Sequence, residues 1–578
     1  MIKKTGAEIL IESLLKENVK VVFGLPGGQA LPIFNAMYGS KLNFILARHE
    51  QAAAHMADGY ARSTGNPGVC IVTSGPGATN IVTGLATAYM DSVPLVAVTG
   101  QVATGVIGQD AFQEADTISI TKPVTKYNFL VKDVKDLAGI IIKAFCIAVS
   151  GRPGPVLVDI PIDVQQSVCE FVYPEKTQIY SCISDRSLNT GQIKKAAEFI
   201  NSSERPVLYI GMGAVVSNAE NEILELSRKA DIPVTNTLLA VGLYPCDTDL
   251  SLGMLGMHGT YYANKAVQSA DVVIAVGTRF NDRCTGRICD FAKGAKIIRI
   301  DIDEKAVSKI VDVDIPIVSD AKKALKEILC LVNRKSRKRW IETINVWKEE
   351  HPLFYEGKDD KLHPQYVIEK ISELTKGEAI IATEVGQHQI WSAQYYKAKH
   401  PRLFLSSGGL GTMGFGYPAA IGAKFGNPDK EVIVIAGDGS FQMNMQEMAV
   451  AVLNNADVKV VILNNQYLGN VRQWQEMFYG KRYSYTCLAK RKECPSWCNT
   501  PNRGSCPVYI PDFVKWAESY GVLGMRVARK EDVEPSLEKM IETKGCAVVD
   551  VLVEMEEDIF PMVPSGASLD EMITGINY

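Results

Sequence analysis

The stretch Glu431-Val432-Ile433-Val434-Ile435-Ala436-Gly437-Asp438-Gly439-Ser440 decides the reading of the fold. An apolar, β-branched run without polar alternation is the pattern of a strand buried on both faces, as in a parallel sheet covered by helices. A helical segment over 446–453 follows, then a second buried strand over 459–463 that ends in Asn464-Asn465. Strand, helix and strand in that order form a right-handed crossover. The two strands are therefore parallel, and Asp438 and Asn465 come to one edge of the sheet. Two hard oxygen donors at one edge suit Mg²⁺, which shares its octahedron between protein carboxylates and a ligand's phosphates. The glycines let the backbone approach a diphosphate, and the helix start offers free N–H groups. Taken alone, Gly-Asp-Gly reads first as a tight turn. The Asn pair at the next strand end reverses that order.

The same alternation extends in both directions. Strand patterns over 21–23, 42–46, 68–73, 95–99 and 156–160 precede a polar, aperiodic stretch at 181–188. A second set, 206–210, 272–276 and 297–302, fades into a charged helix over 334–350 and a linker at 351–364. A third set comprises 379–383, 431–435, 459–463 and 547–553. The expected fold class is α/β, with three doubly wound parallel-sheet domains over 1–180, 188–350 and 365–578. A chain of 578 residues, 47% hydrophobic and 22% charged, has ample core for three such units.

A net charge of −4 with no long basic run leaves nothing to neutralise a phosphate backbone, so nucleic acid is not an expected partner. The start, Met1-Ile2-Lys3-Lys4, runs into an amphipathic helix at Thr5-Gly6-Ala7-Glu8 without the h-region of a signal peptide. The apolar stretch 137–149 is too short to span a membrane and is interrupted by Lys143. Thirteen cysteines, an odd number, suit a reducing compartment. The expected location is the cytoplasm.

In the first domain the strand over 42–46 leads to Arg48-His49-Glu50 and a helix from Gln51. Glu50 alone could simply favour the helix dipole. Thr73-Ser74-Gly75-Pro76-Gly77-Ala78-Thr79-Asn80 follows it. Together with Gly-Asp-Gly and Asn-Asn, these motifs resemble those of thiamine diphosphate enzymes. That resemblance implies that Asp438, Asn465 and the Tyr467 backbone carbonyl ligate Mg²⁺. It places Glu50 at N1′ of the aminopyrimidine, where a shared proton favours the imino tautomer. Ser74, Val385, Gly386, Gln387, His388, Gly411, Met413, Asp438, Gly439, Ser440 and Asn465 complete the implied cofactor set. Met413 would wedge the two rings into a bent shape, although a methionine there is also ordinary core packing. Because Glu50 and the metal site serve one cofactor from different chains in such enzymes, a homodimer or homotetramer is implied.

Further stretches narrow the likeness: Gly108-Gln109-Asp110-Ala111-Phe112-Gln113-Glu114, Ser150-Gly151-Arg152-Pro153-Gly154-Pro155, Met254-Leu255-Gly256-Met257-His258-Gly259, Arg279-Phe280-Asn281-Asp282-Arg283 and Gln473-Trp474. With these the chain resembles the catalytic subunits of the acetolactate synthase (acetohydroxyacid synthase) family. The resemblance implies decarboxylation of pyruvate and transfer of the hydroxyethyl carbanion to a second pyruvate or to 2-oxobutanoate, in branched-chain amino-acid biosynthesis. Gly28 and Gln113 would stand beside the reacting carbonyl, and Trp474 would shape the acceptor pocket. A structural FAD is implied at Arg152, Gly211, Gly213, Thr237, Leu238, His258, Gly277, Arg279, Arg283, Asp301, Ile302 and Asp320. Gly211-Met212-Gly213 lacks the third glycine of a dinucleotide fingerprint, and Arg279 and Arg283 could also form an ion-paired face. A small regulatory subunit is a further possible partner.

The chain departs from the family pattern at Gln29, where a small residue is usual, and at Ile162, where a lysine is common. A loop with Cys487, Cys494, Cys498 and Cys506 is the larger departure. Four thiolates could hold zinc or an iron–sulfur cluster, but the spacing matches neither standard pattern, and free thiols remain open. The loop follows Trp474, so an influence on active-site closure is expected. The competing activity is a flavin-dependent pyruvate oxidase or decarboxylase on the same scaffold. A non-catalytic relative is also conceivable, but Glu50, Asp438 and Asn465 are all present and argue against it.

Overall fold

The structure is a computed structural model describing residues 3–174, 188–357, 360–495, 498 and 506–575. The boundary expected at 181–188 lies, apart from Leu188, outside the described residues. Three six-stranded sheets are present, each parallel throughout, as expected. The first runs in the order Asn43–Leu46, Val21–Leu25, Gly68–Val72, Leu95–Gln101, Pro155–Pro161, Tyr127–Leu130. The central one runs Ser251–Met254, Val234–Asn236, Pro206–Ile210, Val272–Val276, Lys296–Asp301, Ile315–Val318. The last runs Phe404–Leu405, Ile380–Thr383, Val432–Gly437, Val458–Leu463, Ala547–Val551, Leu523–Val527.

In each sheet the chain order reverses at an inner pair of strands, between Val21–Leu25 and Gly68–Val72, between Pro206–Ile210 and Val272–Val276, and between Ile380–Thr383 and Val432–Gly437; the first and last sheets also reverse at one edge, where Tyr127–Leu130 and Leu523–Val527 lie outermost. The connections leave such a pair of neighbouring strands in opposite directions. A crevice opens at their carboxyl ends, which is where open α/β sheets bind ligands.

The segment after Gly437 differs from the sequence expectation. A short helix, Asp438–Phe441, begins directly at the aspartate. It is followed by a 3-10 turn, Met445–Glu447, and the helix Met448–Leu453. Thr5 and Glu8 start the first helix, Gly6–Lys16, with a reciprocal capping box in which Glu8 N–H donates to Thr5 Oγ1 (3.2 Å) and Thr5 N–H to Glu8 Oε2 (2.7 Å).

One hydrophobic core joins the first and last sheets through the helices Glu50–Thr64 and Gly416–Gly426. These pack backbone to backbone. A Cβ on Gly59 would overlap the Ala419 carbonyl, and one on Gly422 the Met56 carbonyl. Gly422→Val is therefore expected to separate the helices at a cost of about 1–3 kcal/mol or more. A drop in Tm of several degrees checks it, and an unchanged Tm would contradict this packing. No helix of the described residues is long and apolar enough to cross a membrane.

Candidate active site

The expected site residues gather at the three inner strand-order reversals. At the first sheet, Gly27 and Gly28 follow Val21–Leu25, and Thr73 and Ser74 follow Gly68–Val72. A Cβ on Gly27 would strike the Thr73 side chain, and one on Gly75 would strike the Gln113 backbone (2.8 Å to its carbonyl oxygen). The fold thus sets Gly27, next to Gly28, against Thr73 and sets Gln113 against Gly75, at the two ends of the turn after Gly68–Val72. Glu50 opens the helix Glu50–Thr64, is buried, and accepts a hydrogen bond from Asn80 Nδ2 (2.9 Å). Its Oε1 lies 3.7 Å from the Cβ position of Gly77. The Ser74 hydroxyl is buried without a partner. Gln29 contributes its backbone: its carbonyl accepts from Gln165 Nε2 (2.8 Å), two residues beyond Asp163 in the helix Ile162–Gln166.

At the last sheet, Val385, Gly386, Gln387 and His388 follow Ile380–Thr383 and face Gly437 and Asp438 across the reversal. The His388 ring fills the gap between them, since Cβ atoms on Gly386 and Gly437 would each come within 2.8 Å of it. Burial pushes His388 down to about 3, so the imidazole is neutral, and its Nε2 has no partner. Asp438 is fully buried, neither of its carboxylate oxygens has a hydrogen-bond partner, and burial pushes it up to about 7. The Tyr509 hydroxyl and the Asn465 backbone oppose that rise without making a full hydrogen bond, so the buried acid remains costly in the chain alone. This is the environment expected of a metal ligand. Asn465 Nδ2 donates to Gln387 Oε1 (3.3 Å), and Asn465 Oδ1 accepts from Tyr467 N–H (3.0 Å), so the three expected Mg²⁺ ligands share one corner. The donor set, one carboxylate, one amide oxygen and one backbone carbonyl, fits Mg²⁺ with a diphosphate completing the shell.

Met413 and Gly411 sit on the loop between Phe404–Leu405 and Gly416–Gly426. Gly414 N–H and Tyr417 N–H both donate to the buried Glu384 carboxylate (2.7 and 3.1 Å), which fixes the loop beside Val385. Trp474 lies on the helix Gly469–Phe478, half-buried, with its indole N–H unpartnered. Its neighbour Gln473 bonds Ile559 N–H and C=O (both 3.0 Å) and Gln387 Nε2 (3.2 Å), which ties this helix to the cofactor residues.

The described residues on either side of the Cys-rich stretch reach this corner. Cys487 forms a backbone bridge with Tyr467, and Leu488 approaches Gly439 (3.1 Å to its Cβ position). Tyr509 accepts from Gln442 Nε2 (3.1 Å), whose amide also donates to the Asp438 carbonyl (3.0 Å). Burial, with a contribution from nearby Cys506, pushes the Cys487 thiol up, Cys494 accepts from Arg491 N–H (3.3 Å), and Cys498 is exposed. Among the described residues no three His, Cys, Asp or Glu side chains converge to hold a metal ion.

At the central sheet, Gly211 and Gly277 stand at the two sides of the reversal. Gly277, at φ +61°, lies so close to Gly213 that neither could carry a Cβ. Thr237, Leu238, Asp301, Ile302 and Asp320 follow neighbouring strand ends of the same edge. Asp301 accepts from Arg299 (2.8 Å), and Asp320 from Ser217 Oγ (2.7 Å). His258 is buried, held down to about 4 by burial, and its Nδ1 lies 3.3 Å from the Pro561 carbonyl. Arg283 pairs with Asp282 (3.5 Å) on the surface. Burial and the neighbouring Arg152 hold Arg279 below its ordinary value, so two guanidiniums converge here, and the Thr278 hydroxyl is buried unpartnered. Paired cations at a crevice between strand ends fit the pyrophosphate of a dinucleotide.

Glu384, Gln442, Gln473 and Tyr509 carry no local sequence pattern that assigns them to the site, yet the structure brings them to it. A charged residue ending the apolar run before Val385 was the one readable signal for Glu384.

The chain matches three family descriptions: the thiamine pyrophosphate enzyme N-terminal TPP binding domain over residues 4–120, the central domain over 193–328, and the C-terminal TPP binding domain over 384–551. It is 43% identical over 581 residues to the acetolactate synthase isozyme 3 large subunit of Escherichia coli, covering 98% of each chain. It is 45% identical to an acetolactate synthase of Mycobacterium bovis, covering 98% of this chain and 91% of that one. To the chloroplastic acetolactate synthase 2 of Nicotiana tabacum it is 43% identical, covering 99% and 85%.

Proposed function

This chain belongs to the acetolactate synthase family of thiamine diphosphate enzymes, and from that premise we propose that it joins pyruvate to a second pyruvate or to 2-oxobutanoate. The products are 2-acetolactate and 2-aceto-2-hydroxybutanoate. Thiamine diphosphate, when bound, supplies the electron sink that lets pyruvate lose CO₂. The observation that carries the reading is Asp438: buried, unpartnered, and set at a strand-order reversal beside neutral His388, Asn465 and Tyr467. In our reading the segment 365–578 holds Mg²⁺ through Asp438, Asn465 and the Tyr467 carbonyl. Val385, Gly386, Gln387, His388, Gly411, Gly439 and Ser440 receive the diphosphate end, and Met413 supports the rings. The segment 1–180 supplies Glu50 and Ser74 to the pyrimidine, with Gly28 and Gln113 beside the substrate.

The Glu50 and Asp438 clusters lie at edges of different sheets and share no hydrogen bond among the described residues, which is consistent with a cofactor held between two chains of a homodimer or larger homo-oligomer. FAD is assigned a structural role at the central reversal, within 188–350. Relatives named "large subunit" favour a small regulatory subunit as a further partner. All described cysteines are free, which suits the cytoplasm. The oxidase alternative is not favoured by relatives that bear the acetolactate synthase name over nearly their whole length.

Incubating the protein with pyruvate, 2-oxobutanoate, Mg²⁺ and thiamine diphosphate, with and without FAD, tests the proposal by product identification. Oxygen consumption with acetyl phosphate, or acetaldehyde alone, would overturn it. For Trp474→Leu we expect the ratio of acetohydroxybutyrate to acetolactate to fall by about tenfold, since one apolar contact discriminates small side chains by ~10–200-fold. An unchanged ratio would place the indole in packing only.

A further inference from the structure

Asp91 ends the helix Val82–Asp91 of the first sheet's layer and is almost completely buried. Its carboxylate meets donors from three parts of the chain. Oδ2 accepts from Arg62 Nη2 (2.9 Å) and Gly408 N–H (3.0 Å), Oδ1 accepts from Gly409 N–H (2.7 Å), and Arg279 Nη2 stands 3.6 Å away. Gly408 and Gly409 begin the loop that carries Gly411 and Met413, while Arg279 belongs to the central reversal.

Three further contacts clamp the same loop. Thr87, on the Asp91 helix, pairs with the Thr412 hydroxyl (2.7 Å), and Arg62 Nη1 donates to the Ser406 carbonyl (2.9 Å). On the other side, Leu239 lies 3.0 Å from the Cβ position of Gly408, one residue beyond Leu238. The loop under Met413 is therefore held between the first layer and the residues of the central crevice. A Cβ on Gly409 would stand 2.7 Å from Asp91 Oδ1, so the approach leaves no room for any other residue. Removing or adding an anion beside Arg279 changes how strongly that guanidinium draws on Asp91. Among the described residues the carboxylate's hydrogen-bond donors are Arg62 and the two loop amides, and Arg279 acts on it through charge alone.

We propose that Asp91 is a positioning residue that couples occupancy of the central crevice by a flavin dinucleotide to the loop bearing Met413. A flavin with no redox task then still strengthens thiamine diphosphate binding. This rests on reading the central crevice as a flavin site, and the experiment separates the two ideas. The full-length protein is stripped of both cofactors, and thiamine diphosphate affinity at saturating Mg²⁺ is measured by calorimetry with and without saturating FAD, bound flavin being counted by its absorbance. The expected result is about a tenfold gain in thiamine diphosphate affinity on adding FAD, and by linkage the same gain for FAD on adding thiamine diphosphate. In Asp91→Asn and Asp91→Glu the gain falls below about twofold while flavin still binds. Asp91→Glu keeps a charge opposite the buried Arg62, so it carries the test if the asparagine variant does not fold. No flavin bound to the parent protein would overturn the flavin reading and this inference with it. Flavin bound without any gain, or a gain undiminished in the folded variants, would overturn this inference alone.

Discussion

Glu50→Ala is expected to lower turnover by about 10²–10⁴-fold, the range that positioned proton transfer contributes, while the protein still folds. The side chain touches little that the fold depends on. It accepts a hydrogen bond from Asn80 Nδ2 (2.9 Å), and the helix keeps its cap without it, since His49 accepts from Gln51 N–H (3.1 Å). Losing one hydrogen bond and one first-turn carboxylate costs about 1–2 kcal/mol, which a melting curve reads as a shift of a few degrees. Glu50→Gln keeps the shape and an acceptor for Asn80 but cannot share a proton as a carboxylate does, so it should be about as slow. Turnover, Tm and thiamine diphosphate affinity measured together decide the matter. Parent-level turnover in either variant would remove Glu50 from the chemistry.

Asp438→Asn is expected to weaken Mg²⁺-dependent binding of thiamine diphosphate by at least about 100-fold, more than the ~10–100-fold typical of residues one shell further out. Without metal the same change should stabilise the protein. The parent buries a carboxylate with no hydrogen-bond partner, and burial raises it to about 7. Its folded value lies above the unfolded one, near 4, so between about pH 4 and pH 7 the folded chain binds the extra proton. Metal-free stability therefore falls as pH rises through that window and stays low above it. The Asp438→Asn variant has no such proton to lose, so its advantage over the parent should grow up to about pH 7. Mg²⁺ must displace the proton, and its affinity for the parent should climb about tenfold per pH unit up to about pH 7, with a proton released on binding. Flat affinity from about pH 5.5 to about pH 7.5, or a variant that binds cofactor normally, would remove Asp438 from the metal site.

The buried strands were legible because apolar runs closed by Gly, Asp or Asn are local patterns. Val272–Val276 and Pro206–Ile210 appear where the sequence places them, and Val432–Gly437 leads into Asp438 as read. Short or edge strands such as Phe404–Leu405, Ser251–Met254 and Leu523–Val527 escaped, because two to five residues at a sheet margin carry little periodicity. The segment after Asp438 also turned into helix earlier than expected, since Gly437 is extended and closes the strand directly at the aspartate.

By itself the sequence determined the residue types that chemistry requires, Glu50, Asp438, Asn465 and the glycines about them, and the three α/β units that present them. The order of strands within each sheet was decided only by tertiary structure, and that order makes the crevices. The packing of His388 between Gly386 and Gly437, the grip of Glu384 on the Met413 loop, and the gathering of Arg62, Arg279, Gly408 and Gly409 on Asp91 were likewise tertiary outcomes. The physical reason is range. Strand propensity and turns depend on neighbours in the chain, whereas a buried carboxylate is satisfied by whichever donors the packed layers bring within about 3 Å, here from positions hundreds of residues apart.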